Sequence, residues 1–261
     1  MTSQHRPKTI AVAGATGLVG AQVVRRLEER GARVVPLARS LGVDLTTGRG
    51  VGESLAGADA LIDVSNVLTQ NEAVAVDRFT RMARTLVDGC LQHGVGRYVL
   101  LSIIGVDEIE FGYYKGKRAQ ESVIEGSGLE YSILRATQFH EFAEQMLGRM
   151  RVGPIALVPR MTSAPVASRE VADRLVELAL ADEVPHRLEL AGPDTMTVPQ
   201  MAREFCRETG RRMLRVPVPV PGPGGRRMAE GGLLPRGPHE VGVQTYREWL
   251  VERSLDATPP A

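Results

Sequence analysis

A chain of 261 residues, 43% of them hydrophobic, can bury the core of one α/β domain carrying a modest C-terminal elaboration. Its 32 Lys+Arg against 31 Asp+Glu leave no global field, which excludes attraction to nucleic acid or an anionic membrane through net charge. Two cysteines, Cys90 and Cys206, are too few for a disulfide framework and lack the spacing of a zinc site, so reduced thiols and no metal are expected.

In chain order, Met1 to Lys8 is polar and lacks the apolar stretch of a leader. No later run approaches a membrane span, and a cytoplasmic location is expected. An apolar strand is predicted over Thr9 to Ala13. A helix follows over Leu18 to Glu29, apolar at Leu18, Val19, Val23, Val24 and Leu27 and stopped by Gly31. Between them stands Gly14-Ala15-Thr16-Gly17-Leu18-Val19-Gly20. Gly14 permits a tight turn, Gly17 lets the backbone approach a pyrophosphate, and Gly20 lets helix and strand pack closely. The helix N-terminus adds amide donors and the positive end of its dipole. In this context the loop predicts a dinucleotide site built from Gly14, Thr16, Gly17, Leu18, Val19 and Gly20.

The second strand, Arg33 to Ala38, should meet the adenosine ribose at its end. In place of a carboxylate for a 2′-hydroxyl, Leu37-Ala38-Arg39-Ser40 offers a guanidinium that can pair with a 2′-phosphate and stack on adenine, with Ser40 as a second donor. NADP(H) is therefore the expected cofactor; the alternative is that Arg39 is a solvated loop arginine. Asp44-Leu45 follows at a distance suited to the next short strand, bordering the adenine.

Ala58 to Val64 reads as a strand ending at Ser65-Asn66, Val74 to His93 as a helix closed by Gly94, and Arg97 to Ile104 as a buried strand. Lys115 to Gly126 is helical. Leu129 to Arg135 returns as a strand, followed by Ala136-Thr137-Gln138-Phe139. The alternation predicts a Rossmann-type, doubly wound parallel sheet, with Ser65, Asn66, Thr137, Gln138 and Phe139 at carboxyl strand edges where cofactor and substrate meet. His140-Glu141 offers acid/base groups, or His140 simply packs.

Beyond about Gly148 the rhythm loosens. It divides the chain into a dinucleotide-binding core over 1–150 and a part over 151–261 expected to complete the sheet edge and to form a substrate pocket and lid. Helices are predicted over Val171 to Ala181 and Val198 to Gly210, the second begun by Thr197 as N-cap with Pro199 in its first turn. Arg211 to His239, dense in Pro, Gly and Arg, reads as an irregular loop or mobile lid. Tyr246 to Val251, around Trp249, is a closing helix.

The only lysines are Lys8, Lys115 and Lys117, and two of them share one short segment, the mark of a place that needs an ammonium and not a guanidinium. The glycine spacing, together with LLSIIGVD, GYYKGKRAQE and YSILRATQFHEF, resembles the extended and atypical short-chain dehydrogenase/reductases, in their NmrA-like, NAD(P)H-binding branch. The resemblance implies a Tyr-x-x-x-Lys pair at Tyr113 and Lys117. Four residues apart on one helical face, the ammonium would lie near both the phenol and the nicotinamide ribose and would lower the phenol pKa. The alternative is that both tyrosines pack and Lys117 pairs with Glu121. The family's third element is a serine. Ser102 is the hydroxyl available, yet aligning the apolar run puts that serine one position later, at Ile103, and a one-residue shift turns a side chain to the other face.

The implied activity is NADPH-dependent reduction of a small organic carbonyl, quinone or enone, in an apolar pocket among Phe111, Tyr113, Phe139 and Phe142. The rivals are a non-catalytic NADP(H)-binding redox sensor, and an isomerase or dehydratase on the same fold. The expected partner is a small-molecule substrate, with no nucleic acid and no membrane, bound by a monomer or homodimer.

Overall fold

The computed structural model describes residues 7–256. β1 (Thr9–Ala13), α1 (Leu18–Glu29), β2 (Arg33–Leu37), α2 (Val51–Leu55), β3 (Ala60–Asp63), α3 (Glu72–His93), β4 (Arg97–Ile103), α4 (Gly112–Glu125) and β5 (Tyr131–Ala136) alternate strand with helix, as the apolar periodicity requires. After them come α5 (Phe142–Arg149), β6 (Arg151–Val152), β7 (Ile155–Pro159), β8 (Thr162–Ser163), α6 (Ser168–Leu180) and β9 (Arg187–Ala191). β10 (Met196–Thr197), α7 (Val198–Glu208), β11 (Leu214–Val218), α8 (Gly222–Ala229), β12 (Glu240–Val241) and α9 (Tyr246–Asp256) complete the chain.

A seven-stranded sheet runs β12-β9-β5-β4-β3-β1-β2. Its ladders β1–β2, β1–β3, β3–β4 and β9–β12 are parallel, and the expected doubly wound Rossmann-type fold is what forms. β2 ends the sheet on one side and exposes Pro36; β12, two residues long, ends it on the other. Local chemistry sets the element bounds. Asn71 opens α3 by accepting from the Val74 N–H (3.0 Å), and Gly94 closes it at φ 67°. α7 opens on a full capping box between Thr197 and Gln200, as Thr197 at its head required. Among the described residues no helix is long and apolar enough to cross a membrane.

The chain forms two compact units and passes between them repeatedly. The first comprises Met1–Ser102, Gly112–Arg135 and Val171–Leu188; the second comprises Ile103–Phe111, Ala136–Glu170 and Glu189–Ala261. In the first, Ala11, Leu61, Tyr98, Leu100 and Ile133 of the sheet bury against Leu86, Val87 and Cys90 of α3. α3 and α4 cross closely because Gly116 has no side chain: a Cβ there would lie 2.7 Å from Phe79 Cδ2 and 2.9 Å from Ala75 Cβ. Arg97, buried in β4, reaches the end of α6 and donates to the carbonyls of Leu178 (3.2 Å) and Asp182 (2.9 Å) and to Glu130.

Two expectations are corrected. Asp44-Leu45 is a turn and not a strand: Asp44 Oδ1 accepts from the Thr46 N–H (2.8 Å), a side-chain closure that competes with sheet pairing, while Leu45 packs on the core. In the second unit, Arg211–His239 is not a structureless lid, for it contains β11 and α8. β11 ends a three-stranded sheet, β11-β7-β6, and an edge strand tolerates Pro217. The glycines of α8 serve close packing, since a Cβ on Gly225 would fall 2.0 Å from Val220 O and one on Gly224 2.5 Å from Glu110 O.

Candidate functional site

The register of the first unit brings three chain exits to one edge of the sheet, because Ala13 pairs with Leu37 on one side and with Asp63 on the other. Ligands of open α/β sheets bind outside such carboxyl ends. The turn after β1 is held by the Gly14 N–H on Leu37 O (3.0 Å) and by the Gly17 N–H on Gly14 O (3.0 Å). Gly14 sits at φ +82°, and a Cβ on it would lie 3.0 Å from the Ser65 backbone. A Cβ on Gly20 would strike Gly14 O at 2.1 Å.

Gly17 differs from both. It is the exposed N-cap of α1, in extended backbone (φ −79°, ψ 176°), with no side chain capping the helix, and a Cβ there would meet only Gly14 O at 3.3 Å. Thr16 and Leu18 beside it are exposed, while Val19 and Gly20 are buried. The result is an uncapped helix start behind a bare stretch of backbone, a cradle that fits a pyrophosphate. After β2, Arg39 and Ser40 lie exposed in a single helical turn over Arg39–Leu41, and Arg39 enters none of the ion pairs found among the described residues. After β3, Ser65 is buried with its Oγ unpartnered and Asn66 is exposed.

The Tyr113–Lys117 pair is built differently from the expectation. Tyr113 is half-buried, edge-on to Phe79 (5.8 Å between ring centroids), with the Asn66 side chain acting on its hydroxyl. Burial pushes the phenol up to about 12, against the opposite pull of Asn66; the depression expected from a neighbouring ammonium does not occur. Lys117 Nζ donates instead to Leu101 O (2.8 Å) and Gln120 Oε1 (2.9 Å), 5.0 Å from the Phe79 ring centroid. Burial lowers its pKa to about 8, opposed by the negative charges of Asp63 and Glu121. Glu121 is not a hydrogen-bonded partner of Lys117 but grips Arg135 at both oxygens. Ser102 is buried with its Oγ unpartnered, while Ile103, next along β4, is partly exposed.

The sequence reading missed Asp63. Fully buried, it accepts from Tyr98 Oη (2.7 Å), Gln120 Nε2 (2.8 Å) and the Ser65 N–H (2.9 Å). The signal was an acid closing the apolar run Ala60-Leu61-Ile62, since a charge is almost never fully buried without partners.

The second unit holds the remaining candidates. Thr137 is buried and donates to Ala164 O; Gln138 is buried and accepts from Ser163 Oγ; Phe139 is half-buried and bridges to Val166. His140 is a packing residue. It is fully buried, stands 5.6 Å from the Tyr246 ring and 5.7 Å from the Trp249 ring, and keeps Nε2 on Pro165 O (3.0 Å). Burial holds its pKa down at about 4.

Comparison with known proteins identifies the family and the fold. The NAD(P)H-binding family matches residues 14–183, from the first glycine of the turn through the end of α6. No curated protein matches the sequence. Among solved structures, an NADPH-dependent quinone oxidoreductase from Escherichia coli, complexed with NADPH, is 17% identical over 94% of this chain and 99% of its own, with a TM-score of 0.67. A UDP-N-acetylglucosamine 4-epimerase from Bacillus cereus is 16% identical over 97% of this chain and 98% of its own, at 0.70. An NAD-dependent NDP-hexosamine 5,6-dehydratase of tunicamycin biosynthesis is 14% identical over 96% and 98%, at 0.72. At such identities the likeness is one of fold.

Proposed function

The chain belongs to the NAD(P)H-binding family, and from that premise we propose that it is an NADPH-dependent reductase acting on a small organic carbonyl, quinone or conjugated enone. The observation that carries the cofactor assignment is Arg39, exposed and outside the ion pairs among the described residues, at the same sheet edge as the uncapped start of α1. In this reading Gly14, Thr16, Gly17, Leu18, Val19 and Gly20 hold the pyrophosphate, Arg39 and Ser40 take the 2′-phosphate, and Asn66 and the N–H of Lys117 left over from its two internal bonds face the ribose.

Bound NADPH supplies a hydride to the electrophilic carbon. Tyr113 supplies the proton that the developing oxyanion requires. A phenol held near 12 stays protonated across the neutral range, so the proton to be donated is in place at working pH. Asn66, whose side chain acts on that hydroxyl, is placed to orient it.

A second reading has its own observation. The ammonium of Lys117 is turned inward and does not activate Tyr113, and the Ser102 hydroxyl is buried, so the protein is then an NADP(H) sensor without turnover. Loss of nicotinamide absorbance across a panel of quinones, enones and ketones, with NADPH affinity measured in parallel, separates the two. Tight NADPH binding with no substrate oxidising it selects the sensor.

A further inference from the structure

The buried polar residues of the first unit form one chain of contacts. Lys117 Nζ donates to Gln120 Oε1 (2.9 Å), Gln120 Nε2 donates to Asp63 Oδ2 (2.8 Å), and the same oxygen accepts from Tyr98 Oη (2.7 Å). An amide has an acceptor end and a donor end. The carboxylate takes only the donor end of Gln120, so its acceptor end must face Lys117; a flipped amide would set oxygen against carboxylate and NH2 against ammonium. Asp63 cannot swing away, because its other oxygen accepts from the Ser65 N–H (2.9 Å). That backbone is the surface on which the glycine turn closes, 3.0 Å from where a Gly14 side chain would begin.

We propose that Asp63, acting through Gln120, is the positioning residue for the Lys117 ammonium, and that the same carboxylate ties this lysine to the backbone against which the glycine turn closes. The cofactor half of this inference rests on the reading of Lys117 as the ribose anchor. The half concerning Lys117 itself rests on geometry alone. Two of the three N–H bonds of the ammonium are committed, to Leu101 O and Gln120 Oε1, so its direction is fixed from behind and one donor is left over. The groups that act on the ammonium are Asp63 of β3, with Tyr98 of β4 on it and Cys90 of α3 near it, Glu121 of α4, with Arg135 of β5 on it, and the ring face of Phe79 of α3. Burial weakens the hold of Lys117 on its proton, and Asp63 is the larger of the two charges opposing that effect.

The chain has three lysines, so 13Cε-lysine NMR resolves Lys117 directly, without cofactor. In Gln120→Met, which keeps the length and removes the amide, the Lys117 titration midpoint should fall by about half a pH unit or more; in Asp63→Asn it should fall at least as far. Gln120→Glu should raise it. The thermal transition and circular dichroism report folding independently. An unmoved midpoint in a folded Gln120→Met, or no rise in Gln120→Glu, overturns the inference. NADPH affinity against pH then tests the reading beneath it. If the Lys117 midpoint moves as stated and the alkaline loss of NADPH affinity moves with it, both stand. If the midpoint moves and the affinity profile does not, Lys117 is positioned by Asp63 but is not the cofactor anchor.

Discussion

Two glycines three residues apart should answer substitution in opposite ways. In Gly20→Ala the new Cβ lies 2.1 Å from Gly14 O, 2.8 Å from Gly14 C and 2.9 Å from Ala15 Cα, all backbone. Relief needs the Gly14 carbonyl to retreat by about 1 Å, at the expense of the turn's own bonds, for a cost of about 2–3 kcal/mol. In a chain of this size that lowers Tm by about 4–12 °C. In Gly17→Val the backbone is already extended and only one atom stands within 4 Å, at 3.3 Å. Valine is a poor N-cap, costing about 1 kcal/mol, and the stiffer unfolded chain offsets part of it. The melt therefore shifts by about 3 °C or less. Yet the branched side chain fills the cradle and removes two charge-assisted backbone contacts at about 1.5–3 kcal/mol each, so NADPH affinity falls about 100-fold or more. Thermal circular dichroism and calorimetric NADPH titration on the two variants make the test. Undiminished NADPH affinity in Gly17→Val, or a wild-type melt in Gly20→Ala, refutes the reading of this turn.

Further outcomes are expected. Arg39→Asp should reverse a preference for NADPH over NADH of about tenfold or more, since the contact of about 1.5–3 kcal/mol exists only with the 2′-phosphate; equal wild-type affinities for the two cofactors would remove the role of Arg39. Tyr113→Phe should leave NADPH affinity intact and slow turnover on an identified substrate by about 100-fold, and turnover at the wild-type rate would move the proton source elsewhere. Arg97→Met should strand the carbonyls at the end of α6 and cost about 2–3 kcal/mol, read as a lower denaturation midpoint. The folded pKa of His140 lies below its unfolded value, so its contribution is complete above about 6.5 and is lost as the pH falls toward about 4. His140→Gln should flatten that part of the acid limb of stability, and an unchanged limb would show that the ring is not neutral in the fold.

Much of this was legible in the chain. The strands β1 to β5 and the helices α1, α3 and α4 follow apolar period and glycine stops, and the turn at Gly14 to Gly20 follows glycine spacing in its place between strand and helix, with Gly14 and Gly20 required by local contacts and Gly17 left open; the short α2 was not legible. β11 was not legible: prolines and arginines write over its alternation, and only its edge position makes Pro217 harmless. The electrostatics of α4 were hidden for another reason. The spacing of Tyr113 and Lys117 fixes a shared face, but which of two acceptors an ammonium takes depends on Asp63 and Gln120, brought beside it by β3 and by its own helix. The sign of the Tyr113 shift depended on burial, which sequence spacing does not report.

The strand at one end of the main sheet has a consequence for association. In β2 the pairing pattern with β1, with the Arg33 N–H on Lys8 O and the Gly14 N–H on Leu37 O, turns the groups of Val34 and Pro36 outward, and Pro36 has no N–H to offer there. A newcomer strand would find its central donor missing. At the far end β12 presents only Glu240–Val241. Neither margin is a template on which a second copy can continue the ladder. The missing donor at β2 and the brevity of β12 thus work against a second copy extending the main sheet at either of its ends.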